Sequence, residues 1–527
     1  MSQDTDLTMQ ALDNSRRRPP LFSARKRLFM ASLLFAFLFP YFTWKQAAGC
    51  ALLLLLFDTL ILPWLDLGVT EETALSLGER VASVASRVRG FLLRSAALVP
   101  PRPAGEPSPA PSADGLVKAP VAGHPLPSGE GENSISSRSP GDRARTGIVL
   151  YPISVLVLVV LYRNHLHIAA ATWAIMALGD GMATVAGEAL RGSALPWNRQ
   201  KTWAGFASFA VAGTVGAYVL TRWIAPEFPP HGTLMVCAAA SLLGAVVESI
   251  PISLDDNLTV PLVVGAFMFC AFLVERSALD SNLPYLGRRI FLAIAVNLAF
   301  ALLACALKAA SRSGAVCGFF LGTAIYLGYG YKSFLLLFAF VLLGSVATRL
   351  GFSKKAARGV AERRGGARSW REALANLLAA AFFSLLVITT HHEAAFLIAL
   401  VAALAEAAGD TVSSEVGQWA SDRAYLIMTF EAVPAGEDGG ISLGGTAAGF
   451  AASAIIIGLG LGLGLCGPYR FAGPAIALGA ACVGNLFDSL LGGTIQRRGL
   501  VTNSIVNFAG TSVAGALALG LALSLGL

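Results

Sequence analysis

"AAFLIALVAALAEAAGD", residues 394–410, is apolar over nearly the length of a membrane crossing, yet Glu406 and Asp410 stand at its end. A helix rises about 1.5 Å per residue, so about 20 such residues cover a hydrocarbon core about 30 Å thick. Inside that core no water satisfies the backbone, so a run of this kind must be helical. Glu406 and Asp410, four residues apart, then share one helix face. Ionisable groups inside a span are costly and point by default to function. One stretch therefore sets both the fold class and the first question about chemistry.

Similar runs recur along the whole chain, at 29–44, 47–65, 148–162, 167–187, 203–223, 233–251, 258–275, 289–308, 314–328, 332–350, 373–390, 393–409, 443–465, 472–491 and 503–526. With 55% hydrophobic and 13% charged residues in 527, the expectation is an all-α polytopic membrane protein with about fifteen transmembrane helices. The 55 glycines suit close helix packing in lipid. Seven scattered cysteines without a CxxC pair read as small apolar side chains. The net charge of +7 follows orientation and does not call for nucleic acid: with a cytoplasmic N-terminus, most Lys and Arg fall in inside segments such as 1–28, 66–147 and 351–372. Arg276, Arg288 and Arg289 resist this pattern. The expected location is the inner, cytoplasmic membrane, with polar sites facing the cytoplasm.

Four parts are expected. Residues 1–94 form a basic start with two spans, and 95–146 a Pro-, Gly- and Ser-rich disordered cytoplasmic linker. Two helical membrane units follow, 147–280 and 285–527, with no convincing internal repeat between them.

In the first unit, "ALGDGMATVAGEALRG" (177–192) places Asp180, Thr184 and Glu188 on one helix face. Gly179 and Gly181 flank Asp180 and would let a ligand approach the backbone. "LPWNRQKTWAGF" (195–206) brings Arg199 and Lys201 to a helix start, where phosphate is well received. "VVESIPISLDDN" (246–257) adds Glu248, Asp255, Asp256 and Asn257. Adjacent carboxylates repel unless a cation lies between them. Carboxylates able to hold Mg²⁺ (Asp180, Glu188, Glu248, Asp256) opposite phosphate-binding cations suit phosphoryl transfer. A solvated acidic turn and snorkelling border lysines are the structural alternatives.

These three motifs, in this order, resemble the prenyl-alcohol kinases, the family of phytol kinase and dolichol kinase. The resemblance covers about 147–275 and implies CTP-dependent phosphorylation of a long isoprenoid alcohol, with roles for Asp180, Lys201, Glu248, Asp255, Asp256 and Asn257. "ARKRLFMA" (24–31) lacks the His of the Arg-Lys-x-x-His motif expected near the first spans.

The second unit has its own polar positions. "ALAEAAGDTVSSEVGQW" (403–419) carries Asp410 and Glu415. "AGEDGGISLGGT" (435–446) offers Gly439 and Gly440 as a phosphate-cradling loop. "GNLFDSLLGGTIQRRG" (484–499) aligns Asn485, Asp488 and Gln496 on one stripe. Asp410 and Asp488 are the candidate metal carboxylates. This set resembles a family of multi-span proteins that includes phytyl-phosphate kinase, which implies a second phosphoryl transfer, from prenyl monophosphate to diphosphate. Two departures stand out: Gly409 to Glu415 read Gly-Asp-Thr-Val-Ser-Ser-Glu where the family has Ala-Asp-Thr-Trp-Ala-Ser-Glu. Gly436 to Gly440 read Gly-Glu-Asp-Gly-Gly where it has Gly-Thr-x-Gly-Gly.

The expectation is thus a bifunctional membrane kinase using Mg²⁺ and a nucleoside triphosphate, CTP or ATP, on isoprenoid substrates held in lipid. A single active half, a cytidylyltransferase and a transporter or flippase stay open. Clustering of the acidic groups at one predicted face, away from the midplane, argues against transport.

Overall fold

A computed structural model describes residues 30–57, 59, 140–190, 192–361, 366–468 and 470–527. The helices are α1 (Met30–Tyr41), α2 (Trp44–Leu56), α3 (Pro140–Leu161), α4 (Leu166–Leu190), α5 (Trp203–Ile224), α6 (Pro230–Ser249), α7 (Asp256–Phe272) and α8 (Arg276–Ala306). They continue as α9 (Arg312–Tyr329), α10 (Tyr331–Arg349), α11 (Phe352–Ala357), α12 (Trp370–Val387), α13 (Glu393–Ala420), α14 (Leu443–Gly462), α15 (Ala472–Gln496) and α16 (Asn503–Ser524). A two-stranded hairpin, β1 (Ala194–Leu195) and β2 (Asn198–Thr202), joins α4 to α5. A three-stranded antiparallel sheet, β3 (Arg423–Leu426), β4 (Ala432–Pro434) and β5 (Gly440–Ile441), joins α13 to α14 with β3 central.

The protein is an integral membrane protein of the all-α class. Within the described residues each of the fifteen apolar stretches overlaps a helix, and 58 and 60–65 of the second stretch lie outside them. Among the described residues ten helices are long and apolar enough to cross a membrane, and α1, α2, α7 and residues 149–161 of α3 are shorter apolar helices. Two expected boundaries move. Helix α3 starts at Pro140, inside the stretch assigned to the linker, whereas 95–139 lie outside the described residues, as do most of 1–94. Helix α8 runs unbroken through 280–285 and takes Arg276, Arg288 and Arg289 out of the expected outer loop. All seven cysteines are free.

Two helices are the most enclosed: the apolar windows of α4 and α13 are 67% and 94% buried. Their runs of Ala and Gly explain it, since small side chains let neighbours approach on every face. Each is the mast of its own buried apolar cluster. The clusters adjoin where Phe267 meets Phe382, at 6.3 Å between ring centroids, and where the Glu275 N–H donates to the Thr389 carbonyl at 2.9 Å.

Around each mast the chain repeats one plan. In the first half α4 packs against α3, α5, α6 and α7, while α5 meets α6, α6 meets α7 and α7 returns to α3. In the second, α13 packs against α12, α14, α15 and α16, while α14 meets α15, α15 meets α16 and α16 returns to α12. Local geometry agrees. Thr202 caps α5 by accepting the Gly205 N–H at 3.1 Å, and Ser442 caps α14 by accepting the Gly445 N–H at 3.2 Å. A Cβ on Gly205 would meet the Ala183 carbonyl at 2.9 Å, and one on Gly445 the Ser413 carbonyl at 2.6 Å. Ala183 and Ser413 each lie three residues after the mast's aspartate, Asp180 or Asp410. An internal repeat that the sequence does not reveal is therefore present in the packing.

Candidate active sites at matching ends of two helix frames

In the first frame the hairpin positions the cation. Trp197 Nε1 donates to Ser249 Oγ at 3.1 Å and Asn198 Nδ2 to the Ser249 carbonyl at 3.0 Å, which docks the hairpin on the end of α6. Lys201 then reaches the buried Glu248 carboxylate in an ion pair. Burial alone would lower the Lys201 ammonium, but Glu248, Asp256 and Asp180 together hold it above its ordinary value. Lys201, Glu248, Asp256 and Asp180 thus form one cluster, drawn from β2, α6, α7 and α4.

Several expected residues have other work. Asp255 is the N-cap of α7: its Oδ1 accepts the Asn257 N–H at 3.1 Å and Nδ2 at 2.8 Å. Asn257 Nδ2 also reaches Asp256 Oδ1 at 3.4 Å, so Asn257 orients both carboxylates. The spaces beside Gly179 and Gly181 are taken by the Phe209 ring and the Met30 thioether. A side chain at either glycine would collide with these neighbours, so both glycines let helices pack closely, a role the sequence reading of them as binding residues did not include. Glu188 stands exposed at the end of α4, and Arg199 is exposed on β2; neither is among the charges acting on Lys201.

In the second frame the carboxylates come from α13 and α15. Glu406 is 1% exposed and lies within electrostatic reach of Asp410 and Asp488. Glu406 Oε1 and Oε2 and Asp488 Oδ2 are buried without a hydrogen-bond partner. Asn507 of α16 donates to Asp410 Oδ2 at 3.3 Å and reaches Asn376 Oδ1 at 3.4 Å. Arg368, just before α12, acts on Asp410 electrostatically. Nothing in the local sequence marked Asn376 and Asn507 as partners of Asp410, because 97 residues separate Asn507 from it.

The glycine-rich loop is brought to the same end. Gly439 adopts φ +71° and lies so close to the Gly493 backbone that any Cβ there would collide. Asp438 bonds to Gln496, and Glu437 pairs with Arg497 at 3.5 Å, fastening the loop to the π-helical turn that closes α15. Asp438 is raised from its ordinary value by burial first, with Glu437 adding to it. Gly439 and Gln496 therefore meet at the end of α15, on the helix that carries Asp488. Asn485 faces the mast at Gly409, and its Nδ2 donates to the Ala481 carbonyl at 3.0 Å. Glu415 is committed elsewhere: it pairs with the fully buried Lys355 of α11 at 2.6 Å, and Lys355 also donates to the Ala347 and Thr348 carbonyls. A buried ion pair with those extra bonds anchors α11, so Glu415 is a structural residue in this geometry.

The repeat aligns the two sites. Asp180 and Asp410 each precede by seven residues a glycine, Gly187 or Gly417, packed on the capping hydroxyl. Gly244 faces Val264 and Gly484 faces Ala514. Four residues after those glycines stand Glu248 and Asp488, and seven residues before Val264 and Ala514 stand Asn257 and Asn507. Asp, a second carboxylate and Asn thus recur at matching positions.

Among the described residues no three His, Cys, Asp or Glu side chains converge as a ready-made metal cage. Mg²⁺ seldom needs one, since it keeps waters and substrate phosphates around one or two carboxylates. The unpartnered oxygens of Glu406 and Asp488 and the paired carboxylates near Lys201 are hard oxygen donors of the right kind.

Comparison with known proteins gives relatives of more than one name. Residues 295–516 match the family described as "Integral membrane protein DUF92". "Protein VTE6, chloroplastic" of Arabidopsis thaliana is 34% identical over 216 residues, 40% of this chain and 64% of that protein. An uncharacterised membrane protein of Methanocaldococcus jannaschii is 34% identical over 227 residues, 43% of this chain and 92% of its own length. "Phytol kinase 1, chloroplastic" of Arabidopsis thaliana is 28% identical over 145 residues, 26% of this chain and 48% of that protein. The chain therefore spans under two thirds of VTE6 and about half of the phytol kinase. No solved structure matches the chain significantly.

Proposed function

The chain belongs to the DUF92 integral membrane protein family, and we propose that it is a two-step kinase acting on isoprenoid lipids. The first frame phosphorylates a long-chain prenyl alcohol such as phytol, and the second adds a phosphoryl group to the resulting monophosphate. The supporting observation is that one Asp, carboxylate and Asn set occurs twice, at the same end of two similar helix frames. The likeness to proteins named phytol kinase and VTE6 supports the same reading. CTP is the proposed donor and the cytoplasmic side of the inner membrane the proposed location.

Phosphoryl transfer depends on positioning and charge neutralisation more than on covalent chemistry. In the first frame Lys201 supplies a cation whose charge is secured by Glu248, and Asp256, oriented by Asn257, lies beside it as base or metal carboxylate. In the second, Asp410 is held by Asn507 while Asp488 and Glu406 present the remaining oxygens. Mg²⁺, when bound by Asp180, Glu248 and Asp256 or by Asp410 and Asp488, would neutralise charge on the donor phosphates. Joining both sites in one chain keeps the lipid intermediate at high local concentration.

The test uses the purified full chain in detergent with Mg²⁺, γ-labelled CTP and phytol. Label should appear in prenyl monophosphate and then diphosphate. Release of inorganic diphosphate with CMP transfer would establish a cytidylyltransferase in place of a kinase.

A further inference from the structure

We propose that the cavity between α8, α9, α10, α12 and α13 seats an isoprenyl monophosphate, with its chain in the apolar part and its phosphate at Arg368. The identity of the lipid rests on the two-step kinase reading; the existence of the site rests on the geometry that follows.

The cavity has a volume of about 100 Å³ and a graded lining. Phe300, Leu337, Phe340 and Gly318 form apolar wall, whereas Arg368, Glu372 and Asn376 form a polar end, with the Glu372 carboxylate engaged by the Ser369 N–H in the capping box of α12. From Asn297 to Ala304 the α8 wall extends about 10 Å along the helix, enough to hold the isoprene unit next to the phosphate. The remainder would lie in lipid against α8, only 17% of whose apolar window is buried.

The polar end is joined to the second site. Asn376 receives the Asn507 amide, and the same amide reaches Asp410. One side chain thus separates the cavity wall from the carboxylate. Arg368 is fixed by its backbone: its N–H donates to the Ala309 carbonyl at 3.0 Å and its carbonyl accepts the Ser311 N–H at 2.9 Å. Its Nη2 meets Thr348 Oγ1 at 3.3 Å.

The repeat explains why this cation matters. Lys201 precedes the capping Thr202, but the matching position before Ser442 is Ile441. The second frame therefore has no lysine on its sheet, and its cation enters from the cavity side. An alcohol entering from lipid carries no charge and needs no cation on its path. A monophosphate carries nearly two negative charges, and placing it in low dielectric requires a charged, hydrogen-bonding partner of Arg type.

Gly318 provides a clean probe, because a Cβ there has no atom within 4 Å and a larger side chain would project into open space. The full chain is assayed with phytyl monophosphate and with the shorter geranyl monophosphate, and is photolabelled with a prenyl monophosphate bearing a terminal diazirine. Gly318→Leu is expected to raise KM for the phytyl compound about tenfold while geranyl monophosphate stays within about twofold. Arg368→Gln should raise KM for both about tenfold or more and leave phosphorylation of free phytol unchanged. Label should map to α8 to α10. Label elsewhere, equal effects of Gly318→Leu on both lengths, or equal competition by a diacyl phosphatidate would overturn the site. Diphosphate formed with label elsewhere would overturn the site and leave the kinase reading. Label in the cavity without diphosphate would support the site and overturn the second kinase step.

Discussion

The two frames place an Asp, a second carboxylate and an Asn on matching helices, yet they surround them with different charges. The first surrounds Asp180 with Glu248, Asp256 and a lysine delivered by a surface hairpin. The second buries Glu406 where the first has Met176, lacks the lysine, and draws its arginine from the segment before α12. A shared scaffold with relocated charge suits related reactions on substrates of different charge. Backbone plan and N-caps set where a carboxylate can stand; the cation's direction of approach sets what can bind beside it.

The strongest way to break this comparison is to silence one frame at a time. Asp256→Asn should block monophosphate formation from the alcohol by on the order of a thousandfold while sparing diphosphate formation from supplied monophosphate. Asp488→Asn should do the reverse, with monophosphate accumulating in thin-layer assays. Equal slowing of both steps by each variant would show a single shared site.

The next largest effect concerns Glu415. Lys355→Met strands a buried carboxylate and should destabilise the chain by about 3 kcal/mol, read as a fall in Tm. Lys355→Met with Glu415→Leu should recover most of that loss and retain the second step. Loss of turnover in a folded double variant would return Glu415 to catalysis.

A third test sharpens the difference at the second mast. A Cβ on Gly510 would collide with Glu406 Oε1, so Gly510→Ala should slow the second step about tenfold and leave the first unchanged. The matched first-frame position, Val260, already carries a side chain and should tolerate Val260→Ala with less than a twofold change in either step.

The smallest effect is a pH response. The Lys201 ammonium sits above its ordinary 10.5, so its ion pair contributes stability below that pH and loses it only as pH rises through the higher folded value. Melting measured from pH 7 to 9.5 should show no loss traceable to Lys201, and a steady fall in Tm across that range that Lys201→Arg abolishes would overturn this reading.

The apolar runs and their helical state were legible because a helix in lipid satisfies its own backbone within four residues of chain. Glu406 with Asp410 could be read for the same local reason, as could the helix start beside Lys201. Asp180, Lys201, Glu248 and Asp256 were named from short motifs, and the packing brings all four together. The cap made by Asp255 and the packing at Gly179 and Gly181 were not legible, because motif and spacing do not say whether a cap, a ring or a ligand fills the neighbouring space.

What only the tertiary structure decided is which faces meet. Lys201 finds Glu248 across 47 residues and Lys355 finds Glu415 across 60. The repeat itself is invisible in composition because lipid-facing positions accept nearly any apolar residue, so sequence drifts while packing geometry persists. Sequence alone determined that the chain is a bundle of membrane helices bearing costly carboxylates. The close approach of small residues on α4 and α13 determined where those carboxylates gather, and that depends on contacts no local stretch contains.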